Sequence, residues 1–583
     1  MRKTKIVCTI GPASSGEKTL RELMLAGMDV ARFNFSHGTH EDHLEKLNLV
    51  KKTREELGLY VATMLDTKGP EIRVKTFEKG KVELKANKIF TLTTNDVVGT
   101  EEIVSITYEN LPSDLHIGSQ VLIDDGLIEL KVVDIKNNTD IVCQVVNGGA
   151  VSNNKSINVP GCDLSMPYIS ERDRSDIKFG VENGFDFIAA SFVRSANDVM
   201  LLRRQLAEYN GQDIKIISKI ENRAGVDNID EIISASDGIM VARGDMGVEI
   251  PFEEVPFIQK MIIEKVYKAG KQVITATQML ESMIKNPRPT RAETTDVATA
   301  IYDGTSAIML SGETAAGAYP IEAVKTMARI ARETEKNIDY EARFRSREMK
   351  VNTDITNAIS HATVTTALDL DAAAVVAVTK SGKAVRMLSK YRPSCKIIGF
   401  STEERVCRQL NLSWGVIPML MPEMKNMDDL FELTVDMALE KNLINQGELV
   451  VINAGVPLGV SGTTNLMKVH VAGHILISGD GLNDRSVCAK LCVCSDEKEV
   501  EKNFNAGDIL VIDRTSNDII RYLRLASGII TEDDGISSHA AVVGLSLDIP
   551  VIIGAKNATK ILKTGAVVTL DSSKGVVYST LKQ

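Results

Sequence analysis

Short apolar runs in this chain end in polar or charged residues, and two of these ends share one chemistry. The run KIISKIE closes with Lys219 and Glu221, and GIMVARGD closes with Arg243, Gly244 and Asp245. Carboxylates are hard oxygen ligands for a divalent metal, and a lysine beside them stabilises negative charge that develops on oxygen. The grouping predicts a divalent metal held next to such a developing charge.

Eight runs of this kind occur, and their Val, Ile and Ala content without strict alternation is typical of parallel strands buried on both faces. They span residues 5–10, 28–33, 61–66, 187–193, 215–221, 238–245, 272–277 and 306–311. Helical patterns fill most of the gaps between them. We therefore predict an α/β fold built on a (β/α)8 TIM barrel, whose active site lies at the C-terminal strand ends. The other ends supply Arg32, Asn34, Ser36, Asp66, Thr277 and Ser311.

The connection between the third and fourth runs is far longer than an ordinary loop. It contains the alternating stretches KVELKANKIFTLTT and SQVLIDDGLIELKVVDI, with Asp125-Gly126 as a hairpin turn. We predict an all-β lid domain at 70–166, inserted into a barrel domain formed by 1–69 and 167–338. New strand and helix patterns then predict an α/β domain at 339–474 and a swivelling β/α tail at 475–583.

The composition is that of an ordinary globular protein. The chain has 583 residues, 44% of them hydrophobic and 25% charged, and a net charge of −10. This balance argues against a nucleic-acid or membrane-surface binder. No apolar run reaches membrane-spanning length. The eight cysteines are scattered apart from Cys488, Cys492 and Cys494, which lack a second ligand pair for zinc, so a reducing cytoplasm is the expected location.

Six blocks of the chain match one enzyme family in barrel order. They are ARFNFSHGTHE, LDTKGPEIR, KIENRAGVDNIDEI, MVARGDMGVE, TATQMLESM and LSGETAAGAYP. The chain thus resembles the pyruvate kinase family over about residues 1–475. The resemblance implies transfer of the phosphoryl group of phosphoenolpyruvate to ADP, giving ATP and, after protonation of the enolate, pyruvate. It also implies a homotetramer that a small molecule regulates through the third domain.

The resemblance assigns roles to the strand ends. Glu221 and Asp245 would bind Mg²⁺ or Mn²⁺, and Lys219 would stabilise the phosphoryl group and the enolate. Arg32 resembles the phosphate-binding arginine, and Arg73 the one that reaches both substrates; guanidinium groups suit phosphate geometry. Backbone amides of the stretch Ala242-Arg243-Gly244-Asp245, before a predicted helix, would hold the substrate carboxylate. Thr277 and Ser311 would lie near the enolate carbon in a water-linked proton relay.

The resemblance implies a monovalent cation and a nucleotide site as well. In the family the positions of Asn34, Ser36, Asp66 and Thr67 coordinate K⁺, and Glu71 matches the potassium-dependent members. Arg73, Lys178, Asn34 and His37 resemble nucleotide-contacting positions.

The histidine spacing His37-x-x-His40-x-x-His43 invites a zinc interpretation. A solvated helix start with Ser36 as its N-cap is the favoured alternative, because residues three apart drift around a helix.

A loop in the third domain resembles the family's effector site for sugar phosphates. It comprises Thr379, Lys380, Ser381, Gly382 and Lys383, between a predicted strand and helix whose N-terminus attracts phosphate. An ordinary helix cap is the alternative. The later loop VPLGVSGTTN lacks the tryptophan and arginine of the fructose-bisphosphate-activated forms. That leaves a hexose monophosphate, ribose phosphate or AMP as the effector.

The tail resembles the mobile phosphohistidine domain of phosphoenolpyruvate-utilising enzymes, with His539 at the phosphorylated position. Asp534 replaces a glycine of that family, so we expect a structural or regulatory appendage and not phosphotransfer. Three rival functions stay open from the sequence: a metal-dependent lyase or aldolase, a phosphohistidine-relay dikinase or synthase, and an inactive scaffold. Dependence of pyruvate formation on ADP separates the kinase from all three.

Overall fold

The computed structural model describes residues 2–162, 164–346, 354–424, 426–456, 464–473 and 475–579. They form two compact units. The first comprises 1–361 with 378–420, and the second comprises 362–377 with 421–583. The boundaries of the four predicted domains stay predictions. Most of the loop VPLGVSGTTN, on which the effector argument drew, lies outside the described residues.

Eight parallel strands form a closed barrel in the first unit, as predicted. They are buried along almost their whole length, which explains their continuous apolar sequences. Their bounds are β1 Lys5–Thr9, β2 Val30–Asn34, β3 Ala62–Asp66, β4 Phe187–Ala190, β5 Lys215–Ile220, β6 Gly238–Ala242, β7 Gln272–Ala276 and β8 Ala307–Leu310.

Helices follow the strands and cover the barrel. They are Glu17–Ala26, His40–Leu57, Glu171–Glu182, Ala196–Glu208, Arg223–Asp227, Ile229–Ala235, Arg243–Glu249, Val255–Lys268, Arg291–Asp303, Gly312–Ala315 and Pro320–Lys336, with 3₁₀ turns at Pro12–Ser14 and Glu281–Ile284. The helix after β2 begins at His40, and Thr39 is its N-cap through a hydrogen bond from the Asp42 amide. The prediction that Ser36 caps this helix is therefore wrong, because Thr39 completes a capping box with Asp42.

Two predicted strands end three residues early in the structure, whereas the other six ends differ from the prediction by at most one residue. The run 238–245 stops being a strand at Ala242, and helix Arg243–Glu249 begins at once. Gly244 and Asp245 therefore lie in the first turn of a helix and not at a strand tip. The run 187–193 ends at Ala190, because Phe192 has a φ of 54°, which an extended strand does not permit.

The connection between β3 and the next barrel helix is a β domain, as predicted, and is called the lid (residues 70–166). The Asp125-Gly126 turn joins antiparallel strands, with Ile123 opposite Ile128. The lid strands are Ile72–Arg73, Lys81–Leu84, Ile89–Thr93, Ile103–Ser105, Gln120–Ile123, Ile128–Lys136, Asp140–Asn147, Gly149–Ser152 and Ser156–Asn158, with a short helix at Leu111–Asp114.

The chain leaves and re-enters the barrel at one place. The Gly69 amide, just before the lid, donates a 3.0 Å hydrogen bond to Oδ1 of Asp173, just after it. Gly69 has a φ of +70°, and a Cβ there would lie 2.9 Å from the Cβ of Ser191. Only glycine fits this crossing point.

The remaining part of the first unit continues the α/β pattern. Strand Lys396–Ser401 pairs in parallel with Val416–Leu420. The accompanying helices are Tyr340–Ser346, Lys383–Lys390 and Glu404–Leu410. No helix in the part of the chain that the structure describes is long and apolar enough to cross a membrane.

In the second unit, strand Leu449–Gly455 pairs in parallel with residues 374–377 and antiparallel with Thr464–Val471. An eight-stranded sheet follows, and it contains each strand predicted for the tail. Its strands are Ile475–Ser478, Asp480–Gly481, Ser486–Val493, Ile509–Ile512, Gly528–Thr531, Val551–Ile553, Val567–Asp571 and Val576–Ser579. The helices of this unit include Met427–Glu440, Glu497–Asn503, Ile520–Leu523, His539–Ser546 and Ala558–Ile561. Cys492 and Cys494 are buried, whereas Cys488 is exposed.

Candidate active site

A cavity of about 970 Å³ lies between the C-terminal ends of the barrel strands and the lid. Its barrel wall contains many of the predicted residues, and its lid wall adds cations and carboxylates. The predicted residues that line it are Arg32, Asn34, Ser36, His37, Glu71, Arg73, Lys219, Glu221 and Asp245. The strand ends therefore converge as the barrel topology requires.

Lys219 is the centre of the site. Its Nζ lies 3.1 Å from Oδ1 of Asp66, 2.8 Å from Oγ of Ser191 and 3.0 Å from Oε1 of Glu221. An ammonium group has three protons to donate, so each proton has an acceptor within reach. Carboxylates from β3 and from the end of β5 thus hold one cation at the floor of the cavity.

Lys219 and the carboxylates around it stabilise each other's charged forms. Burial lowers the pKa of Lys219, but Asp66 and Glu221 raise it by more, so the net pKa lies above its ordinary value and the group stays charged. Burial alone would raise the pKa of Asp66, yet Arg32 and Lys219 bring it below its ordinary value. Lys219 is therefore held charged at the floor of the cavity beside Arg32, where both cations can meet an anionic substrate although the neighbouring carboxylates offset part of their charge.

Glu221 has the properties of a metal ligand. Its Oε2 accepts a 2.6 Å hydrogen bond from the amide of Phe192. Its buried Oε1 has no hydrogen-bond partner among the described residues, although Lys219 lies 3.0 Å away as an ion pair. Burial raises the pKa of Glu221, Lys219 opposes this, and Asp245 raises it again. Two carboxylates in one cavity, with one Glu221 oxygen contacted only by Lys219 in the described part of the chain, fit a divalent cation.

Asn34 and Asp66 are neighbours across the β2–β3 ladder. Arg32 Nε donates to Oδ2 of Asp66 at 2.6 Å, and Oδ1 of Asn34 accepts from the amide of Ser36 at 3.1 Å. Thr67 is buried next to them. The structure thus brings together the four residues predicted to hold K⁺, all of which offer hard oxygens.

The lid wall adds Arg73 and Lys155. Arg73 lies 2.5 Å from Oε1 of Glu71 and donates to the carbonyl of Asn154. Lys155 forms an ion pair of 2.7 Å with Asp124. Lys155 is not among the residues predicted from sequence, because an isolated lysine in a polar turn has no distinguishing pattern.

The stretch 242–245, which is predicted to bind the substrate, is fixed to the end of β7. The guanidinium of Arg243 donates to Oδ1 of Asp296 at 2.8 Å and to the carbonyl of Thr277 at 2.6 Å. The Gly244 amide donates to Oγ1 of Thr277 at 2.7 Å. Thr277 itself has a φ of 68°. The Arg243 side chain and the Gly244 amide are therefore committed to protein contacts, which leaves Asp245 as the residue of this stretch that lines the cavity.

Glu313 holds the end of β8. Its buried carboxylate accepts from the Ser311 amide at 2.7 Å and from the Leu280 amide at 3.1 Å. The Oγ of Ser311 is buried and has no hydrogen-bond partner among the described residues. A buried hydroxyl without a partner is unusual and fits a role in proton transfer.

Several predicted residues lie outside the cavity wall. Lys178 is on the exposed side of helix Glu171–Glu182, where its Nζ is 3.8 Å from Glu182. Ala242, Arg243, Gly244, Thr277, Ser311, Asp66 and Thr67 also do not line the cavity.

Two of the three histidines in the pattern that suggested zinc have protein partners. His40 lies 2.6 Å from Asp176, and His43 lies 2.8 Å from the carbonyl of His37.

The two remaining predicted sites lie elsewhere. In the effector loop, Gly382 has a φ of +79° and its amide donates to Oγ1 of Thr379 at 3.0 Å, at the start of helix Lys383–Lys390. In the second unit, His539 begins helix His539–Ser546. Its Nδ1 lies 2.9 Å from Oγ1 of Thr515 and its Nε2 lies 3.1 Å from Oδ1 of Asn517.

Known proteins match the whole chain. The pyruvate kinase of Geobacillus stearothermophilus is 50% identical over 578 residues, covering 99% of this chain and 98% of the relative. The chain belongs to the pyruvate kinase family. A second pyruvate kinase, from Bacillus licheniformis, is 49% identical with 99% of both chains covered. The family models for the pyruvate kinase barrel domain and alpha/beta domain match residues 1–324 and 357–470.

The solved structure of a pyruvate kinase from Cryptosporidium parvum has a TM-score of 0.77 and 42% identity, covering 81% of this chain and 96% of that one. The tail, at 504–575, matches the mobile domain of PEP-utilising enzymes. As a pyruvate kinase, the chain is a phosphotransferase that moves the phosphoryl group of phosphoenolpyruvate to ADP. This membership excludes the lyase, the dikinase and the scaffold as descriptions of the chain. The family is generally metal-dependent.

Proposed function

We propose that Lys219 performs the central step of this phosphoryl transfer. The observation that carries the proposal is its position, with Asp66, Ser191 and Glu221 within 3.1 Å of Nζ at the floor of the cavity. A charged donor fixed in advance stabilises the transferring phosphoryl group and the enolate oxygen without reorganisation. Arg32, anchored on Asp66, binds the phosphate from the adjacent strand.

Glu221 and Asp245 would hold the Mg²⁺ or Mn²⁺ ion. When bound, this ion neutralises charge on the phosphoryl and enolate oxygens. No group of three or more His, Cys, Asp or Glu side chains suited to a metal occurs among the described residues. A site with two carboxylates is sufficient for Mg²⁺, because this ion usually keeps several water or substrate ligands.

Asn34, Ser36, Asp66 and Thr67 would hold K⁺. Their oxygens belong to adjacent strand ends, next to Arg32, where an added cation would increase the attraction for phosphate. Glu71, which lines the same cavity, supplies the negative charge expected of the potassium-dependent members.

The nucleotide would bind between the lid wall and the end of β2, through Arg73 of the lid and Asn34 and His37 of the barrel. All three line the cavity. We also assign Lys155 to the nucleotide phosphates, because it lines the cavity beside Arg73, and we prefer it to the outward-facing Lys178.

Protonation of the enolate would pass through Thr277 and Ser311. They follow the adjacent strands β7 and β8. Thr277 engages the Gly244 amide, and the Ser311 hydroxyl is buried without a partner among the described residues. The Asp245 amide, in the first turn of its helix, would hold the substrate carboxylate, and the Gly244 amide would join it by exchanging its bond to Thr277 for one to the substrate.

The loop of Thr379, Lys380, Ser381, Gly382 and Lys383 would bind a phosphorylated effector, a sugar monophosphate or AMP. Its left-handed glycine, its threonine hydroxyl and the helix start form a turn suited to a phosphate group.

The homotetramer and the cytoplasmic location complete the proposal. The described cysteines are all free thiols, which supports a reducing compartment.

The test is pyruvate formation from phosphoenolpyruvate, ADP and Mg²⁺, with and without K⁺. Wild type and Glu221→Gln are compared, with Asp227→Asn as a control that removes a different carboxylate from the cavity wall. We expect ADP-dependent, K⁺-stimulated turnover that is lost in Glu221→Gln and kept in Asp227→Asn. Turnover without ADP, or an active Glu221→Gln enzyme, would contradict the assignment.

A further inference from the structure

The lid touches the barrel at the helix that carries Asp245. The Asn158 side chain, at the end of lid strand Ser156–Asn158, donates a 2.8 Å hydrogen bond from Nδ2 to Oε1 of Glu249. Glu249 is the last residue of helix Arg243–Glu249. Residues four apart share one face of a helix, and Asp245 and Glu249 both line the cavity. Helix Arg243–Glu249, called the metal-ligand helix because it carries Asp245, thus contacts the lid through the same face that lines the cavity.

The lid strand that Glu249 holds also fixes the cations of the lid wall. Ser156 is paired with Arg73 in an antiparallel ladder, and Lys155 directly precedes this strand. Because the ladder hydrogen bonds link these residues, a shift of Asn158 away from Glu249 moves Arg73 and Lys155 with it. This side-chain hydrogen bond therefore contributes to the position of both cations, in addition to the ion pairs that Arg73 forms with Glu71 and Lys155 with Asp124.

Val248, the residue before Glu249, faces the tip of the lid hairpin, because a Cβ added to Gly126 would lie 3.6 Å from its Cγ1. Apolar proximity of this kind has no preferred direction. The bond between Asn158 and Glu249 is directional and has an ionisable acceptor, which makes it the stronger constraint.

We infer that Asn158 and Glu249 form a latch that holds the nucleotide-binding wall of the lid at its working distance from the metal-ligand helix. Both are positioning residues. The inference rests on the proposed nucleotide role of Arg73 and Lys155. Loss of the latch leaves the floor of the cavity intact, so it weakens ADP binding while the proposed metal ligands of the nucleotide-free enzyme keep their places.

The test exchanges the amide and the carboxylate between positions 158 and 249. Asn158→Asp sets two carboxylates against each other, and we expect KM for ADP to rise at least about tenfold with a smaller change in kcat. Glu249→Gln keeps an acceptor and should leave KM within about twofold of wild type. In the double variant, the amide introduced on the helix donates to the carboxylate introduced on the lid strand, so KM should return most of the way to the wild-type value. Mn²⁺ affinity without nucleotide should follow only the charge that each single variant adds or removes near Asp245, and it should equal the wild-type value in the double variant, whose net charge is unchanged.

Asn87→Asp is the matched control. Asn87 lies in an exposed lid turn with a φ of 64°, a conformation that Asp also tolerates, and the substitution adds the same charge. Should Asn158→Asp fail to fold, Glu249→Leu removes the acceptor instead and should raise KM for ADP in the same way. An unchanged KM in the broken-latch variant, or a double variant no better than Asn158→Asp, overturns the latch.

Arg73→Ala and Lys155→Ala in the same assay separate this inference from the function on which it rests. If neither raises KM for ADP, the nucleotide assignment is wrong and the latch falls with it. If they raise KM and Asn158→Asp does not, only the latch is wrong.

Discussion

Replacement of Lys219 by methionine tests the centre of the site. The substitution keeps an unbranched side chain of similar length but removes the charge. Three contacts disappear, those from Nζ to Asp66, Ser191 and Glu221. Asp66 keeps its 2.6 Å contact with Arg32, whereas Glu221 loses its cation.

Two magnitudes follow from these contacts. Loss of one fixed donor to a developing oxyanion costs about 10²–10³ in kcat, and Lys219 would serve both the phosphoryl group and the enolate. We therefore expect turnover to fall at least about a thousandfold. Breaking a buried ion pair costs about 3–5 kcal/mol. Glu221 already has a raised pKa and can take up a proton, so the free energy of unfolding should fall by no more than about 3 kcal/mol.

The assay measures steady-state pyruvate formation together with thermal unfolding and Mn²⁺ binding. Lys215→Met is the control, because Lys215 begins the same strand at the opposite end of the barrel. The control should keep its activity. A folded Lys219→Met enzyme that binds Mn²⁺ and turns over within about tenfold of wild type would refute the reasoning.

Three other predictions concern the metal, the monovalent cation and the tail. Because burial raises the pKa of Glu221 in the metal-free enzyme, Mn²⁺ binding near neutral pH should release protons and tighten as pH rises; calorimetric heats that are independent of the ionisation enthalpy of the buffer would contradict this. Glu71→Lys should reduce the ratio of activities with and without K⁺ to near one, since an ammonium group then occupies the cavity wall; a ratio equal to that of wild type would exclude the role of Glu71. With ³²P-labelled phosphoenolpyruvate, wild type and His539→Ala should carry equally little acid-labile label, because both ring nitrogens of His539 lie against neutral side chains; a label present only in wild type would establish a phosphohistidine.

The barrel could be predicted from the sequence because each strand is buried on both faces and therefore has a continuous apolar sequence. All eight strands occur where the pattern predicts them. The residues at which the strands end were harder to predict. Val193 extends the apolar run of β4 beyond the positive φ of Phe192, and Val241-Ala242 runs without a break into the helix that begins at Arg243.

Some residues of the site could be predicted from the sequence and others could not. Lys219 and Glu221 alternate along one strand, so their common side is dictated by the strand period. Ser191 bridges Lys219, Asp66 and Thr67, yet in the sequence it is one small polar residue inside an apolar run. Lys155 enters the cavity only because the insertion folds back over the barrel, and no local pattern encodes that long-range approach.

The point where the lid joins the barrel has a consequence for how such a chain can change. Gly69 and Asp173 are hydrogen-bonded neighbours although the whole insertion lies between them. The barrel closes through its own eight strands, and none of them belongs to the lid. The insertion is therefore joined to the barrel chain at a single point. Its length and sequence can change while the barrel strands keep Lys219, Glu221 and Asp66 in place.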